Sequence, residues 1–338
     1  MAYQKLGNTR DHKLHPPPGR FVDLGTHRLH LRVEGQGSPT IVLEAGLMST
    51  LLSWSDIQRQ LTGSYRVVSY DRAGLGWSDA GPMPRTAERI VEELHSLLTG
   101  AAIPPPYVLV GHSFGGLTMP MFAARYPAET SGMVLVDPVV PAEWNPPSEQ
   151  DRRRAEIGSK VCRRAAVLSR AGVIRFVAFL LSSGAKKVAG RLVRLISRGT
   201  PVESGSVSSP WFWNLPANER KMAGVFWVQE KFCCAIASQL ENLEGSAAQV
   251  AGQANFCDKP VVILSAMSTP AKRRTEHETM ARRLSRGRHV LAEKSTHWIM
   301  QDQPALVISA IHAVAQSFKD EPVASHRSSP AASGQIAC

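Results

Sequence analysis

No apolar run in the 338-residue chain reaches the ~20 residues a helix needs to cross a bilayer. The stretch Met1 to Arg20 is polar and Pro-rich and lacks the apolar centre of an export signal, so a cytoplasmic protein is expected. Cysteine is scarce. The five residues Cys162, Cys233, Cys234, Cys257 and Cys338 are odd in number and include no Cys-x-x-Cys pair, which implies reduced thiols, not a disulfide frame or a zinc site. No internal repeat is visible. Acidic side chains are nearly missing from one region: residues 151–200 hold thirteen Lys/Arg against Asp151 and Glu156, so 13 − 2 = +11, the excess of the whole chain. The remainder is near neutral, which argues against a general nucleic-acid-binding surface.

What is present is an alternation of short apolar runs and helical patterns. Arg28–Val33, Thr40–Leu43, Arg66–Tyr70, Tyr107–Val110 and Gly132–Val136 read as strands. Between them, Arg85–Leu98 places Ile90, Val91, Leu94, Leu97 and Leu98 at helical spacing, and Leu117–Arg125 is helix-like. The rhythm resumes with a strand at Val261–Ser265, a helix near Arg273–Leu284, a strand at His289–Ala292 and a helix at Ala305–Phe318. Strands alternating with helices predict an α/β fold: a mostly parallel sheet covered on both faces. Residues 139–225 break the pattern and predict a helical insertion. The expected organisation is an N-terminal extension (1–19), a core (20–138 and 226–320), a cap (139–225) and a disordered Ser/Ala/Pro-rich tail (321–338).

Gly111-His112-Ser113-Phe114-Gly115-Gly116 lies between the strand Tyr107–Val110 and the helix Leu117–Arg125. This is a G-x-S-x-G elbow in the strand–turn–helix setting it requires. Glycines flank the serine because the sharp turn leaves no room for neighbouring side chains, and the turn lifts the hydroxyl above a helix N-terminus.

The segment Val108–Gly116 resembles the nucleophile segment of α/β-hydrolase-fold esterases and lipases. Tyr70-Asp71-Arg72-Ala73-Gly74-Leu75-Gly76-Trp77-Ser78 is similar to that family's loop after strand four, Leu135–Pro138 to the end of strand six, and Ser295-Thr296-His297 to its histidine loop. The resemblance covers residues 20–140 and about 258–318. It implies a serine hydrolase with a cap inserted after strand six, Ser113 as nucleophile and His297 as general base, and no metal or organic cofactor. In this family the acid usually stands in the loop after strand seven, but Ala266–Lys272 contains no carboxylate. Some members, haloalkane dehalogenases among them, carry it at the end of strand six, which here is Asp137. Glu276 and Glu278 remain alternatives, as does a site without an acid. The oxyanion donors implied are the backbone N–H groups of Phe114, just after the nucleophile, and Leu47, in the loop Glu44-Ala45-Gly46-Leu47-Met48. Asp71, Arg72 and Trp77 are expected to be structural.

In the insertion, Val188, Leu192, Leu195 and Ile196 form one helical stripe and Lys187, Arg191, Arg194 and Arg198 another. The basic stripe faces either water or an anionic membrane surface. Trp211, Phe212, Trp213, Phe226 and Trp227 are candidates for lining an apolar pocket. The activity expected is hydrolysis of a small, apolar carboxylic ester. The alternatives are other serine-dependent reactions of the fold (carbon–carbon bond or lactone hydrolysis, cofactor-free perhydrolysis) and a non-catalytic ligand-binding protein.

Overall fold

The structure, a computed structural model, describes residues 2–182, 191, 214–251 and 258–319. Val188, Leu192, Leu195 and Ile196, with Lys187, Arg194 and Arg198, lie outside the described residues, as do Trp211, Phe212, Trp213, Cys257, Cys338 and the tail from residue 321.

The apolar runs form eight strands: β1 (Arg20–Asp23), β2 (Arg28–Glu34), β3 (Thr40–Glu44), β4 (Val67–Tyr70), β5 (Tyr107–His112), β6 (Thr130–Val136), β7 (Val261–Ala266) and β8 (Gly287–Ala292). They make one sheet in the order β1-β2-β4-β3-β5-β6-β7-β8. Both pairings of β2 are antiparallel and all others are parallel. Strands β3 to β7 are buried along their whole length, as near-continuous Val/Ile/Leu runs demand when helices cover both faces. Along β5, Val108 and Val110 enter one core, and Tyr107 and Leu109 enter the other. The parallel α/β architecture expected from the sequence is therefore the one found.

The helices are α1 (Ala2–Leu14), α2 (Ser55–Leu61), α3 (Ala87–Gly100), α4 (Gly115–Arg125), α5 (Pro141–Trp144), α6 (Glu149–Arg170), α7 (Val173–Ser182), α8 (Ala217–Trp227), α9 (Glu230–Glu241), α10 (Leu243–Ala251), α11 (Ala271–Arg282), α12 (Ile299–Asp302) and α13 (Pro304–Lys319). α3 starts where the Thr86 side chain accepts the Arg89 N–H, and it buries Ile90, Val91, Leu94, Leu97 and Leu98. Between β6 and β7 the described residues are organised into helices α5 to α10.

Register sets up the site. Glu44 pairs with Gly111, His112 with Val136, Val136 with Leu264 and Ala266 with Ala292. The carboxyl ends of β3, β5, β6, β7 and β8 thus form one edge, and the loops that follow them meet there.

Candidate active site

Ser113 follows β5 directly and opens α4 with φ of +53°, a left-handed conformation that a serine adopts only when its surroundings enforce it. Its N–H donates to Val136, and its carbonyl accepts from Gly116 (2.8 Å) and Val139 (2.8 Å). The elbow is thus clamped between its own helix and the end of β6. A side chain on Gly116 would strike the Val139 carbonyl, so the second glycine is a packing requirement.

Asp137 leaves β6 with φ of +43°. Its Oδ2 lies 2.6 Å from His297 Nδ1, and its Oδ1 accepts from the Thr269 hydroxyl (2.6 Å) and the Ala266 N–H (3.2 Å). Burial pushes this carboxyl up. Its bonds to His297, Thr269 and Ala266 outweigh that and hold it below the ordinary carboxylate range. The carboxylate only accepts, so Nδ1 of His297 bears the proton of this bond. The imidazole is 37% exposed and the acid 1%, so the base can be reached while its partner stays dry.

His112 ties the histidine loop to the elbow. It is fully buried, donates from Nε2 to the His297 carbonyl (2.9 Å), and packs between the rings of His297 and Trp298, each centroid 4.6 Å away. Burial, with His297 beside it, pushes its pKa well down, so it stays neutral.

The loop after β3 passes over the elbow. A Cβ on Gly46 would sit 2.8 Å from His112 Nδ1 and 3.3 Å from Ser113 Cβ, so only glycine permits this approach. Sequence reasoning left Arg72 as a structural residue, but the structure gives it a place at the site. Its buried guanidinium donates to the carbonyls of Ala45, Gly46 (2.6 Å) and Leu47 (3.2 Å), pairs with Glu44, and lies 5.3 Å from the Phe114 ring centroid. In a planar trans peptide the C=O and N–H point in opposite directions. Drawing the Gly46 carbonyl onto Arg72 therefore turns the Leu47 N–H away from it. The hint in the sequence was a buried charge beside a turn whose carbonyls need donors. Asp71 is structural as expected, accepting from Leu51 N–H and Trp77 N–H and lying 3.0 Å from His30.

His297 bonds Asp137 directly, and the backbone of Ser113 is bonded to Val136 and Val139 on either side of that acid, whereas Glu276 and Glu278 do not join them. Glu278 is ion-paired with Arg282 in solvent, and Glu276 borders a separate cleft of about 350 Å³ that none of Ser113, Asp137 and His297 lines. Between them on α11, His277 turns inward and donates to the Pro138 carbonyl (2.8 Å). Of the candidate lining aromatics, Phe226 is a core residue, buried edge-on against Trp77 at 4.8 Å. Among the described residues no cluster of His, Cys, Asp and Glu could hold a metal ion, and no helix is long and apolar enough to cross a membrane.

A family model described as alpha/beta hydrolase fold matches residues 39–304. Among curated proteins, 103 residues (29% of the chain) are 43% identical to a probable transporter efuK of Hormonema carpetanum, covering 15% of its length. A stretch of 107 residues (32% of the chain) is 36% identical to the uncharacterized protein YqjL of Bacillus subtilis, covering 42% of it. Another of 103 residues (30%) is 37% identical to a putative carbamate hydrolase RutD of Klebsiella pneumoniae, covering 38%. The chain spans less than half the length of these curated relatives. Among solved structures, a thermophilic esterase from Thermogutta terrifontis aligns with TM-score 0.58 and 19% identity over 88% of this chain and 98% of that one. A haloalkane dehalogenase DatA from Agrobacterium tumefaciens aligns with TM-score 0.64 and 17% identity, over 89% and 96%. At these identities the structural likeness is one of fold.

Proposed function

This chain belongs to the α/β-hydrolase-fold family, and from that membership and the geometry of its sheet edge we infer that it is a serine hydrolase acting on carboxylic esters. The observation that carries the reading is the 2.6 Å bond from His297 Nδ1 to Asp137, on loops that meet the left-handed Ser113 at one sheet edge. Ser113 Oγ attacks the ester carbonyl while His297 Nε2 takes its proton. The oxyanion so formed is received by the N–H groups of Leu47 and Phe114, the first aimed by Arg72 and the second at the start of α4. The imidazolium, stabilised by Asp137, returns the proton to the departing alcohol and leaves an acyl-Ser113. Water then gives a proton to His297 and attacks the acyl carbon. The acid departs and the Ser113 hydroxyl is restored. Protein groups and water suffice for every step.

We read the helices described between β6 and the start of α9 as part of a cap inserted after β6, and take a small apolar ester as the substrate class. A non-catalytic binding protein was an alternative because the acid was in doubt, and a histidine already paired with a buried carboxylate does not favour it. Carbon–carbon bond hydrolysis, lactone opening and perhydrolysis would use the same serine, and no observation selects them. The test is turnover of short p-nitrophenyl esters by wild type and Ser113→Ala, with folding followed by circular dichroism. Hydrolysis that falls by several orders of magnitude in a folded variant supports the reading. Equal turnover in both defeats it.

A further inference from the structure

Helix α1 packs with its polarity reversed. A surface helix normally turns its apolar stripe inward. Here the residues that hold α1 to the protein are polar. Gln4 is buried and donates to the Val228 carbonyl (3.1 Å) and to Asn8 (2.9 Å). Arg175 of α7 donates to Gln4 (3.2 Å) and Asn8 (2.8 Å) and pairs with Asp11 (2.6 Å), with both charged side chains largely shielded. A Cβ on Gly7 would lie 2.5 Å from Arg175 Nε, so a larger residue there would push the end of that side chain off its partners. Just beyond the helix, the Trp77 indole donates to the His15 carbonyl (3.1 Å).

At 100° per residue, Gln4, Asn8 and Asp11 fall within one arc of about 60°. Tyr3, Leu6, Arg10, Lys13 and Leu14 occupy an arc of about 100° on the other side. Leu6 is 71% exposed, Leu14 59% and Tyr3, whose ring edge lies against Gly172, 50%; Arg10 lies between them and Lys13 beside Leu6, both exposed. The outward face thus joins apolar side chains to positive charge and carries no carboxylate, because Asp11 faces the protein. The surroundings continue the theme. Seven of the eleven large hydrophobic side chains that are exposed among the described residues belong to α1, α6 and α7. α6 carries seven Lys/Arg against three Asp/Glu, so 7 − 3 = +4.

We propose that the outer face of α1, built from Tyr3, Leu6, Arg10, Lys13 and Leu14, docks on an anionic lipid surface. Exposed tyrosine and leucine side chains beside Lys and Arg supply the two contributions that add at such a surface, apolar insertion and attraction to anionic headgroups. A second copy of the chain fits the face less well. A two-fold contact would set Arg10 and Lys13 against their own equivalents, whereas anionic headgroups neutralise them. The proposal is independent of the chemistry assigned to Ser113.

The test is flotation of the full chain with phosphatidylcholine vesicles and with vesicles in which a third of the lipid is phosphatidylglycerol. Wild type should float with the anionic vesicles and not with the neutral ones. It should be released near 1 M salt, where the screening length falls to about 3 Å. Leu6→Glu, and Arg10→Glu combined with Lys13→Glu, should each lower partitioning roughly tenfold or more, since each basic residue at such a surface contributes about fivefold. Lys272→Glu, an exposed charge elsewhere, should change nothing. Turnover of a soluble ester should be unaffected by the α1 variants, and Ser113→Ala should float like wild type. Loss of flotation with turnover intact therefore separates this proposal from the proposed function. Three outcomes overturn it. One is wild type that does not float at low salt. Another is α1 variants that float like wild type, or Lys272→Glu that weakens binding equally. The third is a dimer that dissociates on Leu6→Glu without any vesicle binding, which makes the face a contact between copies.

Discussion

β6 and β7 lie side by side and end at the same edge of the sheet, yet they serve the site in opposite ways. β6 ends in a carboxylate, Asp137, aimed at His297. The loop that follows β7 has no carboxylate and instead turns its donors, Ala266 N–H and Thr269 Oγ, onto the other oxygen of that acid. One strand end presents the charge and its neighbour fixes it. β3 and β4 repeat the relation. The β3 loop presents peptide groups over the elbow, and Arg72, two residues beyond β4, holds three of its carbonyls. The difference teaches that at this sheet edge the group one strand presents is held in place by the loop of its neighbour.

The sharpest way to break the comparison is to remove the presented charge. Asp137→Asn should leave the shape of the site but favour the wrong imidazole tautomer and withdraw the stabilisation of the imidazolium. The corresponding change in an unrelated serine protease costs about 10⁴ in kcat. Glu276→Gln and Glu278→Gln should stay within about twofold of wild type, as surface substitutions usually do. A dead Glu variant beside an active Asp137→Asn would move the acid to α11.

Next in size is Arg72. Arg72→Met should lower kcat by roughly 10²–10³, the cost of losing one oxyanion donor, because the carbonyls of residues 45–47 lose their anchor. It also strands Glu44, fully buried beside Tyr70, at about 3–5 kcal/mol of stability. Arg72→Met combined with Glu44→Gln should regain much of the stability but not the rate, which separates positioning from folding.

Thr269→Val removes one holder and keeps the acid. A hydrogen bond to a charged group contributes about 1.5–3 kcal/mol, so a loss of roughly ten- to a hundredfold in kcat/KM is expected. Full activity would make the β7 loop a bystander.

The last effect is on stability alone and is invisible at pH 7. His277 is buried behind Asp137 and donates from Nε2 to Pro138. Its Nδ1 therefore accepts from Ser265 (2.7 Å), which lies 2.8 Å from His289. Burial holds His277 down at about 4. The unfolded chain takes up this proton near pH 6.5 and the folded chain does not, so its contribution to stability is intact above 6.5. Between pH 6.5 and 4 about 3 kcal/mol is lost. His277→Gln should flatten that part of a Tm-against-pH curve.

Ser113 and His297 were legible in the sequence because their chemistry is tied to local pattern: a strand, a G-x-S-x-G turn and a helix for the first, the last strand and helix for the second. Asp137 was legible as a candidate through the missing carboxylate in Ala266–Lys272 and the resemblance to members with the acid after strand six, and its two holders were not, since a threonine and a backbone N–H announce nothing. Arg72 was read as structural because its partners are carbonyls 25 to 27 residues away in sequence. The strands were found to within two residues, except β1, of whose four residues only Val22 is buried. α1 escaped because its few apolar residues, Tyr3, Leu6 and Leu14, are spread among charged and polar ones and its buried contacts are made by Gln4 and Asp11.

The central claim, an acyl-enzyme on Ser113, is tested most directly by incubating the protein with a fluorophosphonate and weighing it intact, then mapping the modified peptide by tandem mass spectrometry. The account predicts one adduct per chain, located on Ser113, absent from Ser113→Ala and strongly slowed in Asp137→Asn. An unlabelled wild type, or an adduct on another residue that persists in Ser113→Ala, would contradict it.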